Sequence, residues 1–252
     1  MLRIIKLGGS AITDKKKPLS VREELIKRIA KELLPAYPEL ILTHGTGAFG
    51  HPLVLKYKVH RGYHGKKEEL IGISDVKWWV NTLTSKVHRA LIDAGIPSFT
   101  MFASSFMILE EGKIKEAYLE SVKNYLKIGV VPLIPADGPP DLKYGFWIVS
   151  GDYIAYYLAK ELDVAEVIFG VDVDGLIWDG IVLKEVDRKM LNEIISKMEE
   201  GKDVTGGMKG KLKHIYNIVS LGIPVRIVNL LVPDRLKKLL LGEDVLHTLF
   251  KP

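Results

Sequence analysis

Two short apolar runs, residues 2–7 and 39–43, each end directly in a glycine-rich loop, KLGGS at 6–10 and HGTGAFGH at 44–51. A strand that stops at glycine leaves backbone N–H groups converging at its end, with no side chain in the way. Between the two runs Val21, Leu25, Ile29 and Leu33 recur at helical spacing up to Pro35, and Ser20 with Glu23 has the form of a capping box. The opening is therefore strand, loop, helix, strand, loop.

That alternation continues along the chain. A long helix is expected over 68–94, stopped by Gly95 and Pro97, then a strand at 98–102 and a hairpin around EEGK at 110–113. A helix over 118–128 and a strand at 130–134 lead into an irregular, proline-rich loop or hairpin at 135–147. The second half gives a helix at 153–162, a strand at 166–171, a turn through Asp174 and Gly175, and a helix at 188–200. Helix 208–221, strand 225–228, helix 234–241 and a strand near 246–249 close it. Such a pattern builds an α/β fold, a three-layer αβα sandwich with a largely parallel central sheet. With 252 residues and 47% hydrophobic content, one domain over 1–252 is expected, with lobes over 1–150 and 151–252 sharing the sheet.

Composition narrows the chemistry. The chain has no cysteine, which removes disulfides, thiolate zinc sites and cysteine nucleophiles, and fits a reducing compartment. Its first apolar run is too short for a secretory segment, and the basic cluster follows that run, so a cytoplasmic location is expected. No stretch approaches the roughly 18–20 apolar residues that a membrane helix needs, so no membrane role is expected. A net charge of +5, from 36 basic and 31 acidic residues, suits an anionic small molecule. Without an aromatic-interleaved basic motif, no nucleic-acid partner is expected.

Five constellations carry candidate chemistry. Lys6 before Gly8, Gly9 and Ser10 is a phosphate cradle or an ordinary turn, and is neither a Walker loop nor a dinucleotide fingerprint. The loop with Thr46, Gly47 and His51 is a second backbone anion site, His51 either gripping an anion or capping. In SGD at 150–152, Asp152 either caps the following helix or orients a lysine and Mg²⁺. Asp172 and Asp174 in VDVDG are accounted for by turn chemistry. In VTGGMKGK at 204–211, lysines oppose a helix dipole that an anion would satisfy, which singles out Lys209. No protein-bound metal is expected, since His44, His51, His60 and His64 lack ligand spacing.

In this order, KLGGS, the Asp14–Lys15 pair, a glycine loop ending FGH, SGD, VDVDG and TGGMKGK resemble the archaeal isopentenyl phosphate kinases of the amino-acid-kinase superfamily, across nearly the whole chain. The resemblance implies the amino-acid-kinase (carbamate-kinase-like) fold, a homodimer, and transfer of the γ-phosphate of ATP, bound with Mg²⁺, to an isoprenoid monophosphate in an alternative mevalonate route. Carried over by position, it makes Lys6, Lys15, His51, Asp152 and Lys209 catalytic. Gly8, Gly9, Ser10, Gly47, Asp172, Asp174 and Gly207 would join Lys6 and Lys209 around ATP, and Thr46, Gly47, His51 and Gly151 would hold the acceptor. Ile73, Val76, Trp79, Val80 and Leu83 on the long helix are the expected tail pocket.

The chain departs from the family pattern at Thr46 (HGTG for HGGG), at Tyr153 (SGDY for SGDD) and at 135–141 (PADGPPD for an HGD-like stretch). The rival readings are a fosfomycin-type or other small phosphonate or phosphate kinase of this fold, and a non-catalytic nucleotide-binding member.

Overall fold

The computed structural model describes residues 1–14, 17, 19–199 and 206–252, so Lys15, Val204 and Thr205 of the motifs above lie outside the described residues. In chain order the elements are β1 (Arg3–Leu7), α1 (Gly9–Ile12), α2 (Glu23–Glu32), β2 (Leu40–His44), α3 (His51–Lys56), α4 (Lys67–Asp93), β3 (Ser98–Thr100), β4 (Met107–Glu110), β5 (Lys113–Ala117) and α5 (Glu120–Lys127). There follow β6 (Val131–Pro135), β7 (Pro140–Asp141), β8 (Gly145–Phe146), α6 (Gly151–Glu161), β9 (Glu166–Val171), β10 (Leu176–Trp178), β11 (Ile181–Leu183) and β12 (Glu185–Val186). The chain ends with α7 (Arg188–Glu199), α8 (Gly206–Val219), β13 (Val225–Asn229), α9 (Arg235–Leu240) and β14 (Thr248–Phe250).

Eight strands form one sheet in the order β12-β14-β13-β9-β1-β2-β6-β3. The pairs are parallel except β13 with β14. The central strands are buried along their length, as strands covered on both faces must be. Side chains alternate between the faces. Ile5, Leu7, Leu40 and Leu42 pack with α2, α4 and α9, whereas Ile4, Ile41, Val167 and Phe169 pack with α6, α7 and α8. Strand β1 pairs with β2 on one side and β9 on the other. The chain therefore leaves β1 first toward one edge and later returns to the other, which opens a crevice at the carboxyl end of β1.

Three sequence expectations change. Helix α2 starts at Glu23 with Arg22 as its N-cap and no side-chain cap, so Ser20 and Glu23 form no capping box. Residues around Val21 are held extended instead, by the Thr13–Val21 bridge and by Arg22 N donating to Ile12 O at 3.0 Å. The turn after β9 is followed by a hairpin, β10–β11, whose two-residue loop Asp179-Gly180 has φ of 49° and 79°. That is the Asp-Gly signal for a primed turn, carried by the sequence at 179–180. The last strand is Thr248–Phe250, displaced from 246–249.

Phe169 is fully buried on β9, in register beside Lys6, and underlies the functional cleft. Phe169→Ala is expected to cost about 3–5 kcal/mol, read as a lower urea midpoint at unchanged m-value. A change below about 1 kcal/mol would show that the cleft floor is not part of the cooperative core.

Candidate active site

At the carboxyl end of β1 the two glycine loops are pressed together. Gly8 N donates to Gly170 O at 2.7 Å, which holds the first loop against β9. A Cβ placed on Gly9 would lie 2.7 Å from the Gly47 Cα, and Gly47 itself has φ of +48°. Neither position tolerates a side chain, and for different reasons: lack of space at the first, backbone conformation and crowding at the second. Thr13 joins the loops, its buried hydroxyl donating to Gly9 O at 2.7 Å and accepting from Ala48 N at 3.0 Å. Sequence reasoning missed Thr13, because a threonine four residues past a glycine carries no signal of its own.

The alternation that buries Ile4 sends Lys6 to the same face, where α6 and α8 cover the sheet. Ser150 caps α6, its hydroxyl accepting from Tyr153 N at 3.1 Å. The cap is thus filled without Asp152. Asp152 bonds two lysines: Lys6 Nζ at 2.7 Å from Oδ1 and Lys211 Nζ at 2.9 Å from Oδ2. Burial alone would push the Asp152 carboxyl up, but Lys6 and then Lys211 outweigh it and hold it well below the usual carboxylate range. Burial, followed by the like charge of Lys6, pushes Lys211 down to about 8. Two cations converging on one anion leave net positive charge in a site of low solvent access, which favours an incoming anion.

His44 at the end of β2 is fully buried, and burial pushes it down to about 4. Its Nδ1 lies 3.0 Å from Gly45 O, which can only accept, so Nδ1 carries the proton of the neutral ring. Nε2 then faces the Thr84 hydroxyl at 3.0 Å, tying the second glycine loop to α4.

These groups open on a cavity of about 990 Å³. Lys6, Gly8, Gly9, Ser10, Thr46, Gly47, His51, Gly151, Asp152 and Asp172 of the candidate residues all line it. Ser10 donates to Asp172 at 3.0 Å, so this aspartate fixes the first glycine loop. The Thr46 side chain lies over Gly50, where any Cβ would collide with it, and so is accommodated without spoiling the loop. Among the residues of the expected tail pocket, Ile73, Val76 and Val80 line the cavity.

Other expected residues fall elsewhere. Lys209 is half-buried and does not line the cavity, whereas Lys211 does. Residues two apart on a helix point about 200° away from each other, so only one of the two lysines can meet Asp152. Trp79 packs edge-on against Phe49, and Leu83 is buried in the core under α2 and α4, so neither reaches the pocket. Asp174 is taken by Asn229 Nδ2 at 3.0 Å and Arg235 at 2.5 Å, and supports the β9 and β13 ends from outside the cavity. Gly207 lies in the first turn of α8, and Lys15 is outside the described residues. Tyr153 accepts from Ile114 N at 3.0 Å and stacks on His214, a cavity residue the sequence did not flag, at a centroid distance of 5.5 Å. Among the described residues no cluster of His, Asp or Glu is arranged to hold a metal ion.

A strand-end crevice with converging glycine loops, a lysine–aspartate–lysine cluster and one apolar wall is the layout of a small-molecule phosphotransferase. A model of the "Amino acid kinase family" matches residues 1–229, and the chain belongs to this family. Its relatives include the isopentenyl phosphate kinase of Methanothermobacter thermautotrophicus, 33% identical over 97% of each chain. The protein of the same name from Methanocaldococcus jannaschii is 34% identical over 96% of each chain. A solved structure described as "X-ray structures of isopentenyl phosphate kinase" matches with a TM-score of 0.85 and 28% identity, covering both chains in full. The fold is the αβα sandwich expected from the sequence.

Removing the shared carboxylate tests the cluster directly. In Asp152→Asn, Lys211 is expected to titrate below about 8, because the one group that raises it is gone. NMR titration of the lysine side chains reads this, and an unchanged Lys211 would mean that Asp152 does not hold the pair.

Proposed function

We propose that this chain transfers the γ-phosphate of ATP to isopentenyl phosphate, giving isopentenyl diphosphate and ADP. The observation that carries this reading is the cavity's mixed lining: Lys6, Asp152 and Lys211 meet there with the glycine loops and Asp172, and Val54, Ile73, Val76 and Val80 add apolar surface. In the reaction an acceptor phosphate oxygen forms a bond to the γ-phosphorus while the bond to the β–γ bridging oxygen breaks, and ADP takes that electron pair. The acceptor oxygen is already anionic, so no strong general base is needed, and positioning with charge neutralisation suffices.

In this reading Lys6 bridges donor and acceptor phosphates and Lys211 neutralises the β–γ region. The loop amides at Gly8, Gly9 and Gly47 hold phosphate oxygens, and His51 donates to the acceptor phosphate. Lys15 stabilises the transferring group, a role that rests on the family resemblance. Both Asp152 oxygens are engaged by lysines, so in this reading Mg²⁺ arrives on the ATP phosphates. Residues 1–150 then supply the acceptor side and 151–252 most of the nucleotide side. A homodimer and a cytoplasmic location complete the proposal. No helix among the described residues is long and apolar enough to cross a membrane. The apolar wall also speaks against a small polar phosphonate as the preferred acceptor.

Mg·ATP-dependent ADP release with isopentenyl phosphate, beside fosfomycin and a no-acceptor control, tests the reaction, with ³¹P NMR of the diphosphate. His51→Ala should lower kcat/KM for the acceptor by at least about 100-fold. Preference for fosfomycin would overturn the substrate, and ATP binding without turnover on any acceptor would overturn the activity.

The pH profile follows from Lys211. Its charge is present below about 8 and lost as the pH rises through that value, so kcat/KM for ATP should fall above pH 8. Lys211→Arg should move the fall to higher pH; an identical limb in that variant would assign the titration to another group.

A further inference from the structure

One face of α8 meets the cavity: Met208, Lys211 and His214, each a helical turn from the next, all line it. Phosphoryl transfer as proposed above gives a role to Lys211 and none to His214. The His214 ring stacks on Tyr153 of α6, with centroids 5.5 Å and planes 22° apart, and the Tyr156 ring lies 6.2 Å from it at 30°. Tyr153 is itself fixed at both ends, its N–H donating to Ser150 Oγ at 3.1 Å and its hydroxyl accepting from Ile114 N on β5 at 3.0 Å. His214 Nδ1 is buried with no hydrogen-bond partner among the described residues, which leaves the stacking contacts to orient the ring.

This stack borders the lysine cluster. Asp152 and Tyr153 are consecutive and so stand about 100° apart round α6. The carboxylate reaches the two lysines while the ring beside it covers the α8 side. Lys211 carries its charge on a side chain only 8% exposed, with Nζ 2.9 Å from Asp152 Oδ2 and 4.7 Å from the centre of the Phe169 ring. Asp152 is the one acid in the first turn of α6. The titratable groups that face Lys211 are therefore Asp152 from α6, Lys6 from β1 and His214 from α8 itself. Burial pushes His214 below its ordinary value; Asp152 opposes this, and the charges of Lys211 and Lys6 add to it, so the ring brings no third cation to the cluster at neutral pH.

We propose that His214 is a positioning residue for Lys211: stacked on Tyr153, its ring closes the seam between α6 and α8 beside the Lys211–Asp152 contact, keeps water from it and holds the ammonium where it meets phosphate. The inference rests on the reading that Lys211 serves phosphoryl transfer. A lysine stem is long and rotamer-rich, and its ammonium attracts a phosphate more strongly where water is excluded. A gap at 214 would admit water and let the stem turn. It would also lift the burial that is the largest cause of the lowering of Lys211 to about 8.

The test uses the full chain and reads Lys211 both without and with turnover. In His214→Ala without substrates, Lys211 should titrate at least about 0.5 unit above its wild-type value by NMR, and the high-pH fall in kcat/KM for ATP should move up with it. At about pH 7 kcat should drop at least about tenfold, with KM for ATP changed less than about threefold. His214→Phe, which keeps a flat ring without nitrogens, should restore titration and rate. Should His214→Ala not fold, Tyr153→Ala takes the stack apart from the α6 side and should show the same shift, whereas Tyr153→Phe, which loses only the bond to β5, should not. An unmoved Lys211 or an unchanged kcat in folded His214→Ala overturns the proposal. Rescue by His214→Asn but not by His214→Phe overturns it too, since a ring nitrogen would then be the working group. A shifted Lys211 in a protein that does not turn over isopentenyl phosphate would keep the role of the stack and reject the proposed reaction.

Discussion

Everything at the centre of this molecule depends on one carboxylate held between two ammonium groups. Asp152 can sit there because Ser150 has taken over the helix cap, because Lys6 is on the α6 face of β1, and because α8 brings Lys211 over the Phe169 ring at 4.7 Å. Gly151 makes the approach possible: a Cβ there would stand 3.0 Å from His44 O and 3.4 Å from Lys6 Cε. The cluster also ties stability to pH, with opposite signs. The depressed Asp152 carboxyl contributes stability above its unfolded value near ~3.9, lost as pH falls through its lower folded value. Lys211, depressed to about 8, costs stability while charged, and that cost is relieved as pH rises from about 8 toward ~10.4. Such a lysine is conditioned for an anion, whose arrival would restore its charge.

The glycine loops answer a different demand. A phosphate held by backbone N–H groups needs the two strand ends to come within backbone contact of one another, and Gly9 against Gly47 is that contact. Thr13 and the neutral His44 then fix the loops from below, one by its hydroxyl and the other through Thr84 on α4. The loops are therefore pinned to the same helix that carries the apolar wall, so acceptor phosphate and acceptor tail are positioned by one rigid element.

Periodicity and punctuation made most of the fold legible. Buried strands ending at glycine, and a long helix ended by Gly95 and Pro97, carry their own signals, and so do both glycine loops. What remained hidden was set by side-chain direction in three dimensions. The motif TGGMKGK contains two candidate lysines, and only the phase of α8 relative to α6 selects Lys211 over Lys209. Trp79 and Leu83 share the apolar stripe of α4 with Val76 and Val80, but the stripe is wide enough to serve both the core and the cavity. Asp174 carries the same local signal as Asp172, yet Asn229 and Arg235, 55 and 61 residues away in sequence, draw it outside.

The three departures from the family pattern take on physical sense in the same way. Thr46 covers Gly50 and leaves its loop intact. Tyr153, where the family has a second aspartate, carries no charge into the cluster; its hydroxyl anchors the β4–β5 hairpin and its ring braces His214. In the stretch 135–141 Asp137 is a buried charge, and a buried carboxylate needs partners that satisfy it. Lys77, Ser104 N and the Val149 backbone supply them, so the charge binds α4 and the segments after β3 and β6 into one boundary. The departures nearest the Lys6–Asp152–Lys211 cluster therefore leave its contacts in place, and the one at 135–141 is absorbed by the hydrogen bonds that buried Asp137 makes with α4 and with the segment after β3.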